Sequence, residues 1–192
     1  MAKPETSRPQ ALLLTRKPGV DDDKLAAALH EDMAELLQFV RLRVQQCADP
    51  AAAAKAAASH DAPSLICFSD VAGLPPDCIE GALELLEEID VAIGPATDGG
   101  VYLLGIREEL DPQAVESLLN AAVGADGLAG CTGLCERLGL QARALPPWFR
   151  IGNAKDLSFA ENLTRLSLLS EDGDMDFFAD RLRMWFENRS KA

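Results

Sequence analysis

The chain has 192 residues, 48% of them hydrophobic and 26% charged, which favours one domain with a buried core and argues against wholesale disorder. With 18 Lys and Arg against 31 Asp and Glu, the net charge is −13, which repels phosphate backbones and anionic lipid and speaks against a nucleic-acid or membrane partner. A small phosphate ligand stays compatible, because a metal ion or a few backbone N–H groups can hold one locally.

Met1 to Gln10 is polar, with no apolar stretch behind a basic one, and no apolar run reaches the roughly 20 residues that span a bilayer. Five cysteines without a CxxC pair fit free thiols in a reducing compartment. The expectation is a cytoplasmic protein. Cys131 and Cys135 stand one helical turn apart and could contribute to a zinc site, but buried thiols explain them more simply, with His30 and His60 far away in sequence.

In chain order, the apolar run from Ala11 to Thr15 predicts a strand that turns at Lys17-Pro18-Gly19. Asp21 to Asp23 supply N-caps for a helix starting near Lys24, whose Leu25, Leu29, Met33, Leu36, Val40 and Val44 repeat every three or four residues. Asp49-Pro50 opens a second helix through the alanines to about Ser59. Ser64 to Ser69 is a continuous apolar run of the kind found in parallel strands covered on both faces. A helix follows from Pro75-Pro76, then a strand from Asp90 to Gly94, a loop from Pro95 to Gly100, and a strand from Val101 to Ile106. Helices are predicted over 112–122 and 127–138, a strand from Gln141 to Leu145, and a helix from Ala154 to about Leu168 capped by Asn153. Residues 172–192 form a terminal amphipathic helix, predicted to bury Phe178, Leu182 and Trp185 against the body or, as a homodimer, against a second copy. Strands alternating with helices at this spacing give an α/β fold with a largely parallel sheet, in a single domain over 1–192.

Ligands in open α/β sheets collect beyond the carboxyl ends of the strands, and two features fall there. Asp70 ends an apolar strand, where a carboxylate could bind Mg²⁺ or Mn²⁺ on a diphosphate, but the local sequence alone favours a cap on the turn before the next helix, since strand-ending Asp is common in turns. The loop Gly94-Pro-Ala-Thr-Asp-Gly-Gly100 reads first as a turn, with a positive φ expected at Gly99 or Gly100, and its glycines would also let a ligand approach the backbone.

Taken together, S-D-x-x-G-L at 69–74 and D-V-x-I-G-P-A-x-D-G-G-x-Y-L-L-G at 90–105 resemble a DUF2064-like bacterial branch of the GT-A nucleotide-diphospho-sugar transferase superfamily. The resemblance is close over residues 64–107. It implies a Rossmann-like three-layer sandwich with a mostly parallel mixed sheet, a nucleotide or nucleotide sugar as ligand, and Asp70 as the metal-binding acid. Arg16 and Lys17 would contact phosphates, and Asp98, Gly99 and Gly100 would line the sugar or acceptor side, with Thr97 offering a further polar contact from the same loop.

This sequence also departs from that pattern. The basic continuation after Thr15-Arg16-Lys17-Pro18-Gly19 is replaced by three aspartates, and the late acidic D-V-D is replaced by Arg150-Ile151-Gly152. Two functional readings remain open. One is metal-dependent glycosyl or nucleotidyl transfer; the other is a catalytically silent relative acting in ligand sensing or protein interaction.

Overall fold

The computed structural model describes residues 8–124, 126–169 and 179–189. Six strands form one sheet: β1 (Gln10–Leu14), β2 (Arg43–Cys47), β3 (Ser64–Phe68), β4 (Val91–Pro95), β5 (Val101–Ile106) and β6 (Ala142–Ala144), in the order β2-β1-β3-β5-β4-β6. β1 pairs in parallel with β2 and β3, and β4 with β6, while β5 runs antiparallel to both β3 and β4.

Side chains alternate across the pleat and so divide the core into two layers. Leu12, Leu14, Ile66, Phe68 and Leu104 face α2 (Pro50–Ala58), α4 (Pro112–Ala122) and α5 (Gly127–Leu138). Leu13, Leu65, Cys67 and Leu103 face α1 (Asp23–Phe39) and α3 (Pro76–Leu86). The predicted three-layer α/β sandwich is what forms. Caps fall as expected: Asp22 accepts from the Leu25 amide, Asp49 from Ala52, and Asn153 from Lys155 at the start of α6 (Ala154–Ser167).

One strand escaped the sequence reading. Val44 keeps the helical spacing of Leu36 and Val40, but α1 ends at Phe39 and Val44 belongs to β2. β2 is a polar edge strand, so no apolar run announces it. All five cysteines are buried and unpaired, and the Cys131 thiol points at the Leu118 carbonyl, 3.5 Å away. Among the described residues no helix is long and apolar enough to cross a membrane.

The terminal helix α7 (Asp180–Arg189) docks on α1 within the same chain. Leu182 is buried as predicted, but Phe186 takes the inward place given above to Trp185, which is half-buried; Phe178 lies outside the described residues. Asp32, buried on α1, accepts the Arg181 amide at 2.9 Å and the Leu182 amide at 3.0 Å and so caps α7 from another element. Burial raises the Asp32 carboxyl to about 6 despite those two hydrogen bonds, which pull the other way. An acid whose docked pKa is raised binds its proton more readily docked than undocked. Its contribution is therefore full below the ordinary value and is lost as pH rises through about 6. The melting-temperature difference between the full chain and one ending at Leu169 is accordingly expected to widen as pH falls from neutral toward 5. A difference that narrows over that range would show that the amide hydrogen bonds outweigh the desolvation of the carboxylate.

Candidate functional site

The parallel register of β1 and β3 builds the centre of the site. Leu14 is paired with Phe68, so Arg16 and Asp70, each two residues further on, emerge side by side beyond the carboxyl ends of the strands. Arg16 Nε lies 2.8 Å from Asp70 Oδ2. Ser69 fixes the pair: its amide donates to the Leu14 carbonyl, and its hydroxyl accepts from the Arg16 amide at 3.0 Å. The Arg16 guanidinium also donates to the Val101 carbonyl at 2.8 Å and lies 4.0 Å over the Phe68 ring, a contact suited to a planar cation.

The loop from Ala96 to Gly100 supplies the second wall. It closes through the Ala96 amide to the Gly100 carbonyl at 2.9 Å, with Gly99 at φ +86° as the turn argument requires. Asp98 Oδ1 accepts the Gly100 amide at 3.0 Å. Gly100 matters for a different reason: a Cβ there would overlap the Arg150 guanidinium.

Arg150 arrives on the segment that crosses the strand ends before α6. The Trp148 amide donates to the Pro95 carbonyl, the Ile151 amide to Asp70, and the Gly19 amide to Ile151, at 3.1, 2.8 and 2.7 Å. Stitched down this way, Arg150 places Nε 3.3 Å from Asp70 Oδ2 and a terminal nitrogen 3.2 Å from Asp98 Oδ2. Two guanidinium groups thus converge on one buried carboxylate, and one of them bridges to a second.

Burial pushes the Asp70 carboxyl up and the Arg16 guanidinium down from their ordinary values, against an attraction that acts in the opposite sense on each. Asp70 Oδ1, Arg16 Nε and Arg150 Nε are all buried outside hydrogen-bonding geometry. Buried polar atoms left so are uncommon, and a strained or functional site is one explanation for them.

Of the sequence-predicted site residues, Arg16, Asp70, Asp98 and Gly100 come together, while Thr97 and Gly99 are exposed on the same loop. Lys17 does not join them. Its exposed ammonium lies 3.9 Å from Asp23. Ser69 and Phe68 orient Arg16; Ser69 opens the S-D-x-x-G-L element and Phe68 ends the apolar run before it, but neither is predicted from the sequence as a site residue.

The residues at this position do not fit a divalent cation. Mg²⁺ and Mn²⁺ need several oxygen donors, whereas guanidinium groups and a backbone amide hold three of the four oxygens of the two carboxylates here, leaving only Asp70 Oδ1. Among the described residues no group of three or more His, Cys, Asp or Glu is arranged to hold a metal.

Three parallel strands, a reversed β5 inserted between β3 and β4, and an acidic residue just beyond β3 in the crevice make up a mixed α/β fold of the nucleotide-diphospho-sugar transferase-like kind. A putative nucleotide-diphospho-sugar transferase from Desulfovibrio desulfuricans G20 superposes with a TM-score of 0.68 at 22% identity, over 96% of each chain. Residues 7–121 match the family described as "uncharacterized protein conserved in bacteria" (DUF2064), and the chain belongs to that family. No functionally curated protein matches it in sequence.

Proposed function

We propose that this chain is a catalytically silent relative of the nucleotide-sugar transferases, in which an internal arginine occupies the electrostatic place of the donor-site cation. The observation that carries this reading is the double contact of Arg150 with Asp70 and Asp98, on a segment where the resembling family has acids instead. Guanidinium pairs well with phosphate oxygens, but it offers no coordination sphere to orient a leaving group. With two Arg and two Asp, the cluster is formally neutral, so a diphosphate must displace Asp98 before it gains Arg150. Ligand affinity is therefore low, and the crevice serves recognition of a nucleotide or nucleotide sugar rather than turnover.

The test adds nucleotide sugars and nucleoside triphosphates to the purified protein, with and without Mn²⁺, and follows both the melting temperature and nucleotide or pyrophosphate release. Weak thermal shifts, no response to Mn²⁺ and release at the background rate are expected. Arg150→Ala should acquire a Mn²⁺-dependent shift, because Asp70 and Asp98 regain their lone pairs. Sustained Mn²⁺-dependent release by the unaltered chain that vanishes in a folded Asp70→Asn variant would overturn the proposal in favour of a metal-dependent transferase.

A further inference from the structure

At the end of the sheet opposite the carboxyl-end site, a second cavity of about 420 Å³ opens between α2 and the edge strand β2. Its origin lies in the sequence. Gln10 is paired with Arg43 and Leu12 with Gln45, so Arg43 and Gln45 project from β2 on the face that α2 covers. The helix residues above them, Ala52 and Ala56, have side chains too short to reach the edge strand, and no further strand closes the gap. Among the described residues, the charged or ionisable groups lining the gap are Arg43, Lys55 and His60, with no carboxylate. That is unusual in a chain of net charge −13.

Arg43 and Lys55 form no ion pair among the described residues. Lys55 also borders a neighbouring hollow that holds Glu116, again without pairing to it. Asp61 follows His60 in sequence but does not line the cavity. His60 is held by a 2.9 Å contact between its Nε2 and the Arg8 carbonyl, and the Gln10 amide nitrogen is tied to Ser64 at 3.0 Å. Polar positions on the floor are thereby fixed, while both strong cations keep their donors available.

We infer that this cavity binds a small phosphorylated molecule, its phosphoryl dianion lying between Arg43 and Lys55. A guanidinium fork and an ammonium on opposite walls suit a tetrahedral dianion, and the volume falls in the range of small-molecule sites. Gln45 and the alanine methyls would face the remainder of such a ligand. The inference does not depend on the reading of the Asp70 crevice.

Inorganic phosphate and pyrophosphate are the probes, titrated into the full chain by calorimetry against chloride of matched ionic strength. ¹H–¹⁵N spectra report the Gln45 side-chain amide and the His60 ring. Binding above the chloride control should perturb Gln45 and His60, weaken about tenfold or more in Arg43→Gln/Lys55→Gln, and stay unchanged in Arg150→Ala. Both substituted side chains are exposed, so the variant is expected to keep its fold, as circular dichroism would verify. No binding above chloride, equal binding by the double variant, or loss of binding in Arg150→Ala would each overturn the assignment.

Discussion

Replacing Asp70 by alanine is expected to cost about 3–5 kcal/mol of folding stability. The carboxylate is 97% buried in side-chain terms, and two guanidinium groups lie within 3.3 Å of it. Among the described residues, removing it leaves the Arg16 guanidinium with the Val101 carbonyl and the Phe68 ring, and that of Arg150 with Asp98. The loss comes from cations stranded in a low-dielectric site rather than from the worth of the pair itself, since desolvation offsets much of the attraction. Simultaneous Arg16→Met and Asp70→Leu should therefore recover a large part of it. Urea unfolding measures both variants, with the denaturant slope held as a check on the denatured state. A deficit under about 1 kcal/mol for Asp70→Ala would mean that water already solvates the cluster. A metal-binding Asp70 would tolerate Asp70→Asn with little change in stability; in the ion-paired position found here that substitution is expected to destabilise the fold.

Gly19→Ala is expected to cost about 2–3 kcal/mol, in the range of overpacking a closed contact. The Gly19 amide donates to the Ile151 carbonyl at 2.7 Å. That brings the two backbones so close that a Cβ would overlap the Gly152 carbonyl. The obstacle is backbone, which cannot swing aside as a flexible side chain would. Gly99 makes the contrast: nothing lies within 4 Å of a Cβ there, and its φ of +86° makes Gly99→Ala a matter of about 1 kcal/mol of backbone strain. Thermal unfolding should rank Gly19→Ala well below Gly99→Ala. Equal melting temperatures would show that the loop after β1 yields freely and does not brace the Arg150 segment.

Much of the architecture was legible before any coordinates. The apolar runs of β1, β3 and β5 locate themselves, because strands buried on both faces leave no room for polar residues. The caps at Asp22, Asp49 and Asn153 mark their helices, because an orphan amide needs an oxygen nearby in sequence. β2 was not legible, since an edge strand reads as polar chain and Val44 kept helical register by coincidence. The inward residues of α7 were misjudged for a related reason: a short amphipathic stretch has two neighbouring aromatics, and only the surface of α1 selects Phe186 over Trp185.

The sequence by itself determined the layered α/β order of elements, the acid at the end of β3 and the turn at Gly99. Each of these follows from local periodicity or local backbone geometry. Only the tertiary structure decided what Asp70 faces. Its partners stand 54 residues before it and 80 residues after it, and they meet because parallel registration sets Arg16 beside Asp70 and three backbone hydrogen bonds carry Arg150 across the strand ends. Charge pairing at this range has no periodic signature in a chain. It emerges when the fold brings distant termini of strands to one edge, and there it sets Asp70, for which the family resemblance implies a metal, at the centre of an arginine cluster.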